Sequence, residues 1–171
     1  VRDSIGGPTR DTIVPVQICS ISIREDGTNI VFAGSCYGEN FLSTDGGYTW
    51  QLTDVLVRPQ RWQSDCEVTR VDFSERDPLV GYAVITFLSP INTPNGGLHK
   101  TTDGGYTWDL IAFADTSLWT VALRTNDEGT EDEIYVGGYT EHFYTYDQFM
   151  TPGRGIVRRS LDGGKNWQSY D

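Results

Sequence analysis

Short apolar runs alternate with turn residues along the chain, and they recur in groups of four. In the first group, residues 17–23 (QICSISI) and 29–34 (NIVFAG) precede a run at 40–43 and a fourth that begins at Trp50 (WQLT). The second group comprises residues 67–73 (EVTRVDF), 79–85 (LVGYAVI), 98–101 and a run from Trp108 (WDLI). The third comprises residues 118–123 (LWTVAL), 133–138 (EIYVGG), 155–160 and a run from Trp167 (WQSY). These runs are rich in Val, Ile, Thr, Tyr and Trp and are bounded by turn residues, which is the pattern of strands. No window sustains a helical period with caps. Each group therefore predicts four short antiparallel strands.

Between the third and fourth run of each group the chain repeats itself. It reads STDGGYTW at 43–50, TTDGGYTW at 101–108 and SLDGGKNW at 160–167. Asp45 and Asp103 are 58 residues apart, and Asp103 and Asp162 are 59 apart. An even period marks a structural unit that buries its apolar face against the next copy. The first two runs also align at an offset of 50: Ile23 falls on Phe73, Phe32 on Tyr82, Ala33 on Ala83, and Phe73 on Leu123. Length variation is thus confined to later loops, as expected of a packed scaffold. Inside the repeat, Asp-Gly-Gly suits a hairpin turn, with glycines where φ must be positive. The Asp and the preceding Ser or Thr can accept hydrogen bonds from the turn's own N–H groups. The Trp is a large apolar plug whose N–H needs a partner.

S/T-x-D-G-G-x-T-W resembles the Asp-box, or BNR repeat, of sialidase-like β-propellers, in which the box turns between the third and fourth strands of a blade. The resemblance covers residues 17–171. It implies a structural role for Asp45, Gly47, Trp50, Asp103, Gly105, Trp108, Asp162, Gly164 and Trp167. The third copy departs by carrying Asn166 where the others have Thr49 and Thr107. The expected fold is all-β: a β-propeller segment of three four-stranded Asp-box blades, at 17–54, 55–112 and 113–171. Residues 1–16, which include the run TIVPV, are expected to form an N-terminal segment or an outer strand of a neighbouring blade. Propellers close with four to eight blades, so three predict a part of a ring completed by further blades or subunits. Two unmatched blade faces invite association.

Charge narrows the partners. With 13 Lys and Arg against 24 Asp and Glu, the net charge is −11. That disfavours nucleic acid and anionic membrane surfaces and is consistent with simple solubility. No apolar stretch is long enough for a membrane span, and no secretory signal is visible. Cys19, Cys36 and Cys66 come without a CxxC spacing or a nearby His cluster, so no zinc site, other metal or cofactor is expected. All three sit at strand ends on one side of the propeller. A disulfide between two of them would fit a secreted protein, and buried thiols would fit equally.

Strand alternation puts the boxes on one face and the long connections on the other. These are residues 53–65 (TDVLVRPQRWQSD), 86–97 (TFLSPINTPNGG) and 139–154 (YTEHFYTYDQFMTPGR). Long loops on a rigid scaffold are the usual site of function, and in the sialidase-like family the substrate face is also the one away from the boxes. Arg58, Arg61 and Trp62 set cations beside an aromatic plate. Glu141, His142, Phe143, Tyr144, Tyr146 and Asp147 form a dense aromatic and polar stretch. Such groups suit a glycan or a protein surface; Arg58, Arg61, Trp62, His142, Tyr144 and Tyr146 are the candidate binding residues.

Catalysis is the sharper alternative. The sialidase resemblance would require an arginine cluster, to which Arg58, Arg61 and Arg154 could contribute, and a Tyr nucleophile. The family's Arg-Ile-Pro motif is absent. A second resemblance, to xyloglucan hydrolases, would require two carboxylates across a cleft, and Asp65, Asp115 and Asp147 lie in or beside the loops. Arg70 and Asp72 share one face of a first strand and suit pairing between blades. Residues 126–133 (NDEGTEDE) lack the spacing of a calcium loop and read as a solvated turn. The expected function is a non-enzymatic binding or architectural module of an extracellular or cell-envelope protein. The alternative is part of a glycoside hydrolase.

Overall fold

The computed structural model describes residues 17–24, 26–36, 38–55, 66–87, 96–114, 116–140 and 154–170. Among them there is no helix. Twelve strands form three antiparallel sheets in strict sequence order. The first holds β1 (Ile18–Ile23), β2 (Val31–Ser35), β3 (Glu39–Ser43) and β4 (Gln51–Val55). The second holds β5 (Cys66–Phe73), β6 (Gly81–Phe87), β7 (Gly97–Thr101) and β8 (Asp109–Ala112). The third holds β9 (Thr116–Thr125), β10 (Asp132–Thr140), β11 (Arg154–Ser160) and β12 (Gln168–Tyr170). Up-and-down four-stranded sheets repeated side by side are propeller blades.

Two details differ from the sequence reading. The fourth strand of each sheet starts one residue after the tryptophan, at Gln51, Asp109 and Gln168. Each indole N–H instead folds back on its own turn, which keeps the Trp out of the ladder. The strands also run further into the predicted loops. Thr53 to Val55, Thr86 and Phe87, Tyr139 and Thr140, and Arg154 are all strand residues. The ladders continue because pairing persists there, as in Glu39 with Val55 and Thr140 with Arg154.

The offset of 50 has a structural counterpart. The inner strand of each sheet carries a bulge, at Cys19 in β1, Thr69 in β5 and Trp119 in β9. Beyond it, Ile21, Val71 and Val121 pair with Ala33, Ala83 and Val136. A bulge bends a strand and increases its twist, so the same bend is written into all three sheets. Cys19 forms a disulfide with Cys36, their Cα atoms 5.6 Å apart, tying the start of β1 to the end of β2.

The core lies between sheets. At the first junction, Phe32 and Leu42 of the first sheet meet Val68, Val71, Phe73, Ala83, Ile85 and Trp108 of the second. Phe32, Phe73 and Trp108 pack edge to face, with centroids 5.3 to 6.3 Å apart, a favoured aromatic geometry. At the second junction, Tyr82, Val84 and Leu98 meet Leu118, Val121, Ile134, Val136 and Ile156. Polar bonds cross it as well. Ser74 donates to Asp132 at 2.7 Å, Thr69 Oγ1 donates to the Leu118 carbonyl at 3.1 Å, and the Leu123 N–H donates to Asp72 at 3.1 Å. The expected bridging by Asp72 thus runs to a backbone N–H of the next sheet.

The first junction is tight at Gly34. A Cβ there would lie 2.7 Å from Cβ and Cγ1 of Val68 and 2.6 Å from Ser20 Oγ. Gly155, also a strand residue, has nothing within 4 Å of its would-be Cβ. Gly34→Ala is expected to destabilise the fold by about 1–3 kcal/mol through overpacking, whereas Gly155→Ala should be neutral or slightly stabilising. Urea melts of the two variants against the parent check this; equal effects would mean that the junction yields easily.

Candidate functional site

The three DGG turns lie at one end of the sheets. In each, the first glycine donates its N–H to a carbonyl at or just before the start of the second strand: Gly46 to that of Asn29, Gly104 to Leu79 and Gly163 to Asp132. The turn after the third strand is thereby tied to the turn after the first. Both glycines of every pair have positive φ, from 67° at Gly163 to 101° at Gly105, a region that side chains with a Cβ disfavour.

The polar atoms of these turns bond within the turn. In the second, Thr101 Oγ1 donates to Asp103 at 2.7 Å and accepts the Gly105 N–H at 2.9 Å. Asp103 Oδ1 accepts the N–H groups of Tyr106 and Thr107 at 2.9 and 3.0 Å, and Oδ2 accepts the Thr107 hydroxyl at 2.6 Å. Trp108 Nε1 donates to the Gly105 carbonyl at 3.1 Å. The first turn repeats the pattern, with Ser43 Oγ bonded to Asp45 and the Gly47 N–H, and Thr49 and Trp50 in the same roles. The third turn repeats it with Ser160, Asp162, Gly164 and Trp167. There Asn166 Nδ2 donates to Asp162 Oδ2 at 2.7 Å, taking the place of the threonine hydroxyl.

These donors stabilise the ionised carboxylates. The Thr49 hydroxyl, then its N–H, hold the Asp45 carboxyl at about 2, and the Asn166 side chain, then its N–H, do the same for Asp162. At Asp103 partial burial pushes upward, but the Thr107 and Thr101 hydrogen bonds outweigh it and the net direction is down. The Ser or Thr, Asp and Trp side chains of the three turns thus find their hydrogen-bond partners within the turn itself.

The other end is formed by the starts of the first and third strands and the ends of the second and fourth. Arg58, Arg61, Trp62, His142, Tyr144 and Tyr146 lie outside the described residues, as do Asp65, Asp115, Glu141, Phe143 and Asp147. Arg154 is described and is exposed at the start of β11. What the structure does show at this end is an aromatic pair that sequence reasoning missed. Trp119 is 44% exposed, and its ring lies 6.1 Å from that of Tyr139 at a 38° tilt. Trp119 is the bulge residue of β9, and Tyr139 is one residue short of the end of β10, where residues 141–153 depart. The signal was available: at the offset of 50, Trp119 aligns with Cys19 and Thr69, so a large aromatic is out of place there.

The DGG end also has a cleft of about 460 Å³, lined by Ile23, Arg24, Asp72, Ser74, Arg124 and Asp132 among others. Its charges pair within the protein: Arg24 with Asp26, Arg76 with Asp132, and Arg124 with Glu133. The acidic stretch at 126–133 is a turn closed by Asn126 Oδ1, which accepts the Thr130 and Glu131 N–H groups. Its carboxylates diverge, Glu131 to Lys165, Asp132 to Ser74, and Glu133 to Arg124 and Arg159. Among the described residues no three His, Cys, Asp or Glu side chains are placed to hold a metal ion.

Sheet order, turn geometry and inter-sheet packing together define a segment of a β-propeller. No family model and no curated protein matches the chain. Solved structures match it at the level of fold. One, "YCF48 bound to D1 peptide", is 21% identical with a TM-score of 0.54 over 90% of this chain and 39% of that one. The GH74 enzyme of Niastella koreensis is 16% identical with a TM-score of 0.59, over 90% of this chain and 22% of that one. The GH74 xyloglucanase of Xanthomonas campestris is 16% identical with a TM-score of 0.58, over 90% and 21%. The chain thus spans well under half of each.

Asp103→Ala is expected to cost about 1–3 kcal/mol of stability by leaving turn N–H groups without an acceptor. The pH dependence follows from the depressed carboxyls. Their folded values lie below the ordinary 3.8, so the stability they add is present above about pH 4 and is lost as pH falls toward 2. Urea melts of the parent between about pH 5 and pH 2 should show this decline, and Asp103→Ala, which leaves Asp45 and Asp162 in place, should make it shallower. Unchanged stability in Asp103→Ala would mean that the turn does not depend on its carboxylate.

Proposed function

We propose that the chain is a non-enzymatic binding or architectural module, and that it meets a glycan or a protein through the loop end opposite the DGG turns. On this reading the DGG turns are Asp-boxes of a sialidase-like propeller, and they hold the scaffold. The observation that carries the reading is the partly exposed Trp119, paired with Tyr139, beside the segment that bears His142, Tyr144 and Tyr146 in the sequence. Flat aromatic groups on rigid strands offer contact area at little entropic cost, and they anchor both sugars and proteins. Arg58, Arg61 and Trp62, which lie between β4 and β5 in the sequence, are the further contacts of this proposal. The peptide in the structure titled for YCF48 favours a protein partner over a glycan. The Cys19–Cys36 disulfide favours an oxidising, extracellular or cell-envelope setting.

The second reading, part of a glycoside hydrolase, is favoured by the likeness to the two GH74 structures. It would draw on Asp65, Asp115 or Asp147 together with residues contributed by other blades.

The test is binding of the 171-residue chain to a glycan array and a peptide array, with reducing-sugar release from xyloglucan measured in parallel. Trp119→Ala and Trp62→Ala are each expected to weaken binding by about 2 kcal/mol or more, as anchors do. Both should melt closer to the parent than Trp108→Ala, which removes a buried ring from the first junction. Release of reducing sugar would move the assignment to the hydrolase. Binding unaffected by either variant would show that this end is not the contact face.

A further inference from the structure

We infer that the protein partner is held through an acidic side chain, gripped by Arg70 on the inner strand of the middle sheet, with the Thr120 hydroxyl as a second donor. The inference rests on the protein-binding reading above and adds the chemistry of the partner.

The inner strands of neighbouring sheets run side by side and in step. Thr69 Oγ1 donates to the Leu118 carbonyl, and three residues on Asp72 accepts the Leu123 N–H. Between these two bonds Arg70 stands level with Trp119 and Thr120. Ser20, Arg70 and Thr120 are one position of the three sheets, 50 residues apart, and pair with Gly34, Val84 and Gly137. None of the three side chains has a hydrogen-bond partner among the described residues. The Ser20 hydroxyl belongs to a residue 8% exposed and has none. Thr120 is exposed and sets its methyl beside Gly137, which leaves its hydroxyl unbonded. Arg70 is exposed and its guanidinium is unbonded too. One level of the inner strands thus carries donors without acceptors.

Arg70 differs from the other cations. The described ion pairs take Arg24, Arg76, Arg124, Arg159 and Lys165. Lys100 and Arg158 lie over the rings of Tyr82 and Phe113. Among the described residues Arg70 and Arg154 are left over, and Arg154 stands at the start of β11, two strands from the inner edge. In a chain of net charge −11 an arginine with no carboxylate is out of place. Asp72, on the same face of the same strand, is bonded to the Leu123 N–H instead. The middle sheet is packed on both sides, so the exposure of Arg70 does not come from an outer sheet face. At its position the sister sheets carry only short hydroxyl side chains.

A guanidinium presents its N–H donors as a planar fork that matches a carboxylate in two parallel hydrogen bonds. Trp119, level with Arg70 and 44% exposed, offers a flat apolar surface beside it. An extended peptide sets alternate side chains roughly 7 Å apart on one face. One short segment can therefore bring a carboxylate to Arg70 and an apolar side chain to Trp119.

The test is a peptide array in which every sequence with Asp or Glu is paired with its Asn or Gln counterpart, probed with the full chain and its variants. The parent is expected to prefer the acidic member of each pair. Arg70→Gln should lose that preference and bind the tightest acidic peptide about 10-fold or more weakly, as loss of a charged hydrogen-bond partner does. Arg70→Lys should keep the preference at lower affinity, because an ammonium is a point charge without the fork. Trp119→Ala should weaken both members of a pair alike. Thermal melts of Arg70→Gln and Arg70→Lys should match the parent, since no internal bond is removed. Peptides bound without acidic preference, or a preference that survives in Arg70→Gln, would overturn this inference and leave the binding role standing. No peptide bound at all would overturn both. Binding to acidic sugars on a glycan array, with none to peptides, would give Arg70 a sugar carboxylate and overturn the peptide partner.

Discussion

No single sheet of this protein can bury its own apolar surface. Four strands a few residues long make a plate with two faces, and a plate alone leaves Val68, Val71 and Phe73, or Leu118 and Val121, in water. The packing of one plate on the next is therefore the interaction on which the structure rests. Phe32, Phe73 and Trp108 interlock at one such contact, and Tyr82, Leu98, Leu118 and Val121 fill the other. Everything else serves to keep neighbouring plates at the same angle and in the same register.

The DGG turns and the bulges are the two devices that do so. Each turn ties the end of the third strand to the start of the second through a glycine N–H. The carboxylate at its centre is satisfied by groups within four residues. Each bulge, at Cys19, Thr69 and Trp119, bends the inner strand at the same distance from the junction core. In the third sheet that device also turns a tryptophan outward at the loop end. The bulge residue of the third sheet is thus also a partly exposed aromatic.

The two ends of the molecule have different chemistry as a result. At the DGG end, the turn carboxylates are met by donors inside the protein, and the acidic turn at 126–133 sends Glu131 to Lys165, Asp132 to Ser74, and Glu133 to Arg124 and Arg159. At the other end, the connections between strands are long and Trp119 is partly exposed.

The sequence by itself determined what is local or periodic. Strand positions were legible because alternation and turn residues act within a few residues. The turn chemistry was legible because Asp103, its glycines and Thr107 interact over at most four positions. The offset of 50 was legible because equal packing demands equal spacing. The tertiary structure alone decided the rest. It selected Cys19 and Cys36 as the disulfide pair among three cysteines, because the β1–β2 ladder sets their Cα atoms 5.6 Å apart. It paired Asp72 with a backbone N–H 51 residues away and Ser74 with an aspartate 58 away. It placed Trp119 against Tyr139. Such contacts depend on which face of a strand a residue occupies after a bulge, and a shift of one position in register reverses that face. No local pattern carries that information; it exists only once neighbouring sheets have docked.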